Sequence, residues 1–381
     1  MEKRKKIALL GSTGSIGRQA LVCAERYPER FEIVSLSANK NAELIVEQAE
    51  KFKPRIVAVS DPESAAKIKK LPQCCEFYYG ENAALHAVCE DADLVFVAIM
   101  GFAGLKCVLA AIEMGKDVAI ANKETLVAGG EIVTRRAAEK GVRIFPVDSE
   151  HSAIWQSLGF DATKPFKRLI ITASGGAFRD TPQDELPYKK AADALRHPNW
   201  NMGAKITVDC ATMVNKGLEV IEARWLFGAD YDKIDVLMHP ESIVHSLVEF
   251  YDGAIINQMG YPSMELPIML AMSFPERLAG APTLDLAGRT LHFFELDEKR
   301  YPCFKAVTDS AREGDNYPCA LSAANEEAVA LFLQDKIAFT DIYGYLCDAL
   351  SGVTRLKPTY ENLVLTDRKA REAVKKKFNG Q

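Results

Sequence analysis

The chain has no surplus of positive charge. Across 381 residues, 47 Lys and Arg face 52 Asp and Glu, for a formal net charge of −5. This balance argues against nucleic acid as a partner, because neutralising phosphates needs an excess of Lys and Arg on one face. No long hydrophobic run is present either. The longest, Leu94–Leu105, lies between Asp93 and Lys106 and falls well short of the roughly 20 residues that span a bilayer. The N-terminal MEKRKKIALLGSTG runs from a basic cluster straight into a short apolar strand. With no long apolar stretch or small-residue cleavage site there, the expectation is a cytoplasmic protein without a membrane partner. The nine cysteines are scattered and contain no C-x-x-C pair, which argues against a disulfide framework or a zinc site. Internal repeats and low-complexity segments are absent. Hydrophobic residues at 48% and charged residues at 26% exclude wholesale disorder.

What is present is alternation. Ile7–Leu10, Ile33–Leu36, Ile56–Val59, Leu94–Ile99, Val118–Ala121 and Ile144–Val147 read as buried strands. Helix-length segments such as Ala42–Phe52 and Gly104–Met114 lie between them. The pattern predicts an α/β fold that opens with a Rossmann-like parallel sheet, with ligands beyond the carboxyl ends of its strands. The strands Leu169–Thr172, Val236–Met238, Ile243–Glu249 and Ala254–Gln258 are interrupted by polar loops and predict a central mixed α/β domain. Ala320–Gln334, Ala338–Leu350 and Arg368–Phe378 predict a helical C-terminus. The expected division is 1–150 for nucleotide binding, 151–273 for catalysis with a lid loop at 196–203, a linker at 274–302, and a helical domain at 303–381.

Three constellations carry chemistry. The first is Gly11-x-x-Gly14-x-x-Gly17, between the first strand and the first helix. Glycines there permit positive φ and close approach of a phosphate to backbone amides at a helix N-terminus. A NAD-binding domain places an acid about 20 residues further on. Here that stretch reads Ser37-Ala38-Asn39-Lys40-Asn41, which suits a 2′-phosphate and hence NADPH; an incidental surface lysine gives the same pattern.

The second is Asp148-Ser149-Glu150-His151 at the end of a predicted strand, with Glu219 available further along the chain. Such acids suit Mg²⁺ or Mn²⁺, although acids also cap helices and Lys216–Glu219 is a common surface pairing. His151 suits a hydrogen-bonding role better than a ligand role. The third is a set of loops: Thr172-Ala-Ser174-Gly175-Gly176, a phosphate nest, and Arg196–Gly203. The latter's His197 and Trp200 suit either a lid that excludes water or a plug into the core. Lys123, after the strand ending at Ala121, points toward the same sheet edge.

In order, GSTGSIG, ANKE, PVDSEH, ASGG, RHPNWNMG, NKGLE-x-IEARWLF, HP-x-SIVHS and ALSAANE resemble the 1-deoxy-D-xylulose 5-phosphate reductoisomerase family over nearly the whole chain. The resemblance implies conversion of that ketose phosphate to 2-C-methyl-D-erythritol 4-phosphate in non-mevalonate isoprenoid biosynthesis. It also implies NADPH, one divalent cation (Mg²⁺, Mn²⁺ or Co²⁺) and a homodimer. It puts NADPH at Thr13, Gly14, Ser15, Ile16, Asn39, Lys40, Asn41, Asn122, Glu124 and Gly203, and the metal on Asp148, Glu150 and Glu219. Substrate contacts fall on Lys123, Ser149, Glu150, Ser174, His197, Cys210, Asn215, Lys216 and Glu219. Catalytic roles go to Lys123, Asp148, Glu150, Glu219 and His197. Cys210 departs from the family, which usually has Ser in VDSAT; a thiol is a weaker hydrogen-bond donor. Two other readings are a different NADPH-dependent dehydrogenase and an NADPH-sensing protein.

Overall fold

Short aliphatic runs buried on both faces require neighbours on both sides, and the first part of the chain supplies them. The computed structural model describes residues 3–196, 198–200 and 202–380. Its strands β1 (Lys5–Leu10), β2 (Phe31–Ala38), β3 (Ile56–Val59), β4 (Glu76–Tyr79), β5 (Leu94–Val97), β6 (Asp117–Ile120) and β7 (Ile144–Pro146) alternate with helices. These helices are α1 (Ser15–Arg26), α2 (Ala42–Phe52), the single turns α3 (Pro62–Ala65) and α4 (Ala83–His86), α5 (Gly104–Glu113) and α6 (Lys123–Lys140). The strands pair in the order β4-β3-β2-β1-β5-β6-β7, all parallel. The strand order reverses beside β1, where such sheets bind ligands. β4 is absent from the expected strands because this short edge strand is only partly buried and contains no aliphatic run.

The chain continues through α7 (Ser149–Ser157), β8 (Arg168–Ala173), the turn α8 (Ala191–Ala194), α9 (Ala204–Thr212), α10 (Val214–Phe227), β9 (Ile234–Met238), β10 (Val244–Glu249) and β11 (Ile255–Met259). It ends with α11 (Glu265–Ser273), β12 (Phe294–Glu295), α12 (Pro302–Glu313), α13 (Tyr317–Leu333), α14 (Asp341–Ser351) and α15 (Tyr360–Asn379). The second sheet has the order β11-β10-β8-β9-β12 and is mixed, with β8 and β9 parallel and the other pairs antiparallel.

Two compact units result, and they divide the chain differently from the expected boundaries. One comprises 1–125, 133–148 and 264–281; the other comprises 126–132, 149–263 and 282–381. The last ten residues of the expected central domain, 264–273, thus fall in the first unit. Residues 264–281 pack with the first unit, where Lys5 Nζ donates to the carbonyls of Met272 at 2.9 Å and Phe274 at 3.3 Å. Phe145 also meets Phe274 there.

The helical segment 303–381 shares its main core with the preceding helices and keeps only a small cluster of Ala320, Ala323 and Ala370 to itself. Leu321, Ala324 and Phe332 share one apolar cluster with Val208, Leu218 and Ile221. The expected linker 274–302 contains β12, and α12 begins at its end. Among the described residues no helix is long and apolar enough to cross a membrane.

Candidate active site

In the first unit, the Gly-rich turn is built by backbone constraint. Gly11 has φ +84°, and a Cβ there would lie 2.7 Å from the Ala98 carbonyl carbon. A Cβ at Gly17 would collide with the Gly11 carbonyl oxygen and lie 2.7 Å from Ser12 Cα. The amides of Gly11 and Ser12 donate to the Ser37 carbonyl at 3.0 and 2.8 Å, so they serve the turn itself. Thr13 to Ile16 form its outer rim. Gly14 is the N-cap of α1 and no side chain caps that helix, which leaves a helix N-terminus suited to an anion.

Asn39, Lys40 and Asn41 are exposed after β2. The Asn41 side chain accepts the Leu44 N–H at 3.1 Å and thereby caps α2. Asn122 is buried; its Oδ1 accepts from Thr125 N–H at 3.2 Å and its amide donates to Ile99 and Gly101 carbonyls. Its side chain is thus engaged in building the start of α6, where Glu124 is half-buried. Beside it, buried Lys123 pairs with Asp148 at 2.6 Å.

In the second unit, α7, β8, α9, α10 and the turn after β9 converge on an open cleft. The centre is Lys216. Its ammonium lies 2.7 Å from Glu150 Oε1 and also bonds Glu219 Oε2. Asn215 donates to the other Glu219 oxygen at 2.5 Å, and Ser149 Oγ donates to Glu150 Oε2 at 2.6 Å. Burial alone would lower the lysine's pKa, but the two glutamates outweigh it and hold Lys216 above the ordinary lysine range. Two carboxylates sharing one buried ammonium leave a negative excess of hard oxygen donors, a set suited to a divalent cation. Asp148 precedes Glu150 by two residues.

His151 serves as a support. Its Nε2 lies 2.9 Å from the Glu219 carbonyl and its Nδ1 3.3 Å from Glu222, all three residues being buried. The histidine thus holds α10 where Glu219 is needed.

The cleft wall carries the nest. Gly175 and Gly176 have φ +86° and +68°, and a Cβ on Gly176 would lie 2.6 Å from the α9 backbone at Ala211. Gly176 N–H donates to Ser174 Oγ at 3.3 Å. Ser174, Cys210, Asn215, Lys216 and Trp200 all line this cleft. Trp200 is half-buried and its ring centroid lies 6.0 Å from that of His245. Gly203 is the exposed N-cap of α9, in the second unit. His197 lies outside the described residues.

Thr172 also lines the cleft, as do Met213, Ser242 and His245, which were not singled out from the sequence. The signal for two of them lay in HPESIVHS, where His and Ser cluster at a strand start. Burial holds the His245 imidazole below its usual pKa.

Family models described as 1-deoxy-D-xylulose 5-phosphate reductoisomerase, the C-terminal domain of that enzyme, and DXP reductoisomerase C-terminal domain match residues 7–130, 144–227 and 259–373. The 1-deoxy-D-xylulose 5-phosphate reductoisomerase of Gloeobacter violaceus is 49% identical over 97% of both chains. The chain belongs to the 1-deoxy-D-xylulose 5-phosphate reductoisomerase family. Among solved members, the Zymomonas mobilis reductoisomerase in complex with NADPH is 37% identical, covers both chains fully and superposes with a TM-score of 0.93. A DOX-P reductoisomerase in complex with NADPH, fosmidomycin and magnesium is 36% identical over 98% of both chains, with a TM-score of 0.94.

Proposed function

We propose that this chain converts 1-deoxy-D-xylulose 5-phosphate and NADPH, with one proton, into 2-C-methyl-D-erythritol 4-phosphate and NADP⁺, using one divalent cation. The observation that carries this reading is the cleft in which Lys216 sits between Glu150 and Glu219 beside the Ser174–Gly176 nest. The family's solved members named above, one with NADPH and one with NADPH and magnesium, support the same cofactors here.

NADPH suits the first unit. Its phosphates would meet the turn from Thr13 to Ile16, which lies between Gly11 and Gly17, two positions with no room for a side chain. Asn39, Lys40 and Asn41 would face the 2′-phosphate, and Asn122, Glu124 and Gly203 would make the remaining contacts. Asp148, Glu150 and Glu219 would hold the cation, which when bound polarises a ketone and acidifies a neighbouring hydroxyl. Lys123 and Ser149 would orient the substrate's oxygens. Ser174, Cys210, Asn215 and Lys216 would bind its phosphate, a remote group whose binding energy fixes the reacting carbons in place. His197 and Trp200 would cover the bound substrate and exclude water.

The same reading takes a cytoplasmic homodimer as the working form. The edge strand β11 supports it: Ile255, Ile256 and Met259 are all exposed there, and an uncovered edge with apolar side chains is a pairing surface. Light scattering on the purified chain checks the dimer; a monomer at assay concentration removes it.

The deciding assay follows NADPH absorbance with the sugar phosphate and Mg²⁺ or Mn²⁺, and repeats it with EDTA. Oxidation that requires both substrate and metal is the expected result. Metal-independent oxidation, or none by protein that binds NADPH, turns the reading toward an ordinary dehydrogenase or a sensor.

A further inference from the structure

The turn after β9 forms one rim of the cleft, and a segment far along the chain holds it. β9 ends at Met238, and five residues lead into β10 at Val244. Within them Ser242 has φ +53°, a conformation a non-glycine residue keeps only when its surroundings impose it. Ser242 also receives the Asn199 side chain, whose amide donates to Ser242 Oγ at 2.8 Å and to the Pro240 carbonyl at 2.6 Å. The rim is therefore the seat of the Asn199–Trp200 segment.

Two anchors fix the turn, and both end at His292. The first is internal to the sheet. His239 Nε2 accepts the backbone N–H groups of Ile243 and Val244, each at 3.1 Å, so that nitrogen carries no proton. The ring proton is on Nδ1, which donates to the His292 carbonyl at 2.8 Å. The second anchor is Glu241. One of its oxygens lies 2.6 Å from His292 Nδ1 and the other accepts the His292 backbone N–H at 3.3 Å. Burial alone would raise the Glu241 pKa, but its hydrogen bonds, those from His292 foremost, outweigh this and hold it below the usual range.

Residues 292–295 are fixed in turn. Phe294 and Glu295 pair with Met238 and Leu237, and Phe293 stacks on His239 at 4.6 Å. Strand pairing secures this segment without Glu241, so the Glu241–His292 contact acts on the rim alone.

We infer that Glu241 and His292 are positioning residues that fix this rim, and so set affinity for the phosphorylated substrate without touching it. The inference deepens the proposed reaction and rests on it.

The test is steady-state kinetics on the full chain with NADPH, Mg²⁺ and the sugar phosphate, comparing Glu241→Ala, Glu241→Gln and His292→Ala. Both alanine variants lose the charge-assisted Glu241–His292 side-chain hydrogen bond and should raise KM for the sugar phosphate about tenfold or more. kcat should stay within about twofold and KM for NADPH should not move. Glu241→Gln keeps an acceptor oxygen for His292 and should restore most of the lost affinity. Quenching of tryptophan fluorescence by inorganic phosphate, with Trp200→Phe as the blank, should shift to higher phosphate in the same alanine variants.

Wild-type KM in both alanine variants overturns the inference. So does a joint loss of kcat, both KM values and Tm that glutamine does not rescue, because that describes a stability role only. If the wild type fails to oxidise NADPH with this substrate, the proposed reaction falls. The phosphate titration still decides the rim: unchanged midpoints in the alanine variants overturn its role.

Discussion

The two candidate binding features, one in each unit, are built from different materials. The Gly-rich turn of the first unit is made of backbone: glycines without room for a Cβ, and amides at an uncapped helix end. The cleft of the second unit is made of side-chain charge, with Lys216 buried against Glu150 and Glu219. A backbone cradle fails by shape and is indifferent to pH. A buried charge cluster fails by imbalance, since removing one partner leaves another uncompensated. Damage to the two should therefore be separable.

The widest separation comes from the cleft. Glu150→Gln keeps the shape of the side chain and removes one charge. It should lower kcat by about a thousandfold or more, the scale of lost electrostatic stabilisation at a metal-assisted carbonyl. NADPH affinity, followed by its fluorescence on binding, should be nearly unchanged; retained turnover would remove Glu150 from the metal set.

Gly17→Ala is the mirror experiment. A Cβ forced against Gly11 and Ser12 is overpacking, and it should weaken NADPH binding roughly tenfold to a hundredfold. Phosphate quenching of Trp200 in the second unit should be preserved. Equal damage to both readouts would mean that the contrast does not hold.

A smaller effect belongs to Cys210, which lines the cleft. Cys210→Ser supplies a stronger hydrogen-bond donor and should lower KM for the sugar phosphate about threefold. An unchanged or higher KM argues against a phosphate contact through that side chain. The smallest effect is pH dependence. His245 has a depressed pKa in the folded chain, so below about pH 6.5, its unfolded value, the unfolded state binds more protons. Stability should then fall as pH drops through that point. His245→Gln should flatten this part of a Tm-against-pH curve, and an unaltered slope would show that burial is not perturbing the ring.

The same contrast explains what could be read in advance. The glycine spacing announced its turn because shape is written in residue type. The buried strands β1, β2, β3, β5 and β6 were visible as aliphatic runs, whereas partly buried β4 was not. The acids at 148, 150 and 219 were visible as candidates, but Lys216–Glu219 was indistinguishable from a surface pair. Only the fold shows Lys216 and Glu219 buried and His151 bracing the carbonyl of Glu219. Ser242 and His245 were obscured because their role depends on where a turn is held, and part of that hold comes from His292, 53 residues from His239. Asn122 carries a local role that its residue type at a strand end does not announce: its side chain caps α6.

One feature of the first unit bears on how the protein is made. Lys5 donates to the carbonyls of Met272 and Phe274, partners 267 and 269 residues later in the chain. Domains tend to fold as units during synthesis, N-terminal ones first. Here the N-terminal unit lacks its last segment, 264–281, until most of the second unit has left the ribosome. The strands around β1 must wait, or be shielded, through the emergence of more than a hundred intervening residues (149–263). A gene fragment cut at residue 150 would accordingly encode a nucleotide-binding half deprived of α11, and it should come out of the cell aggregated.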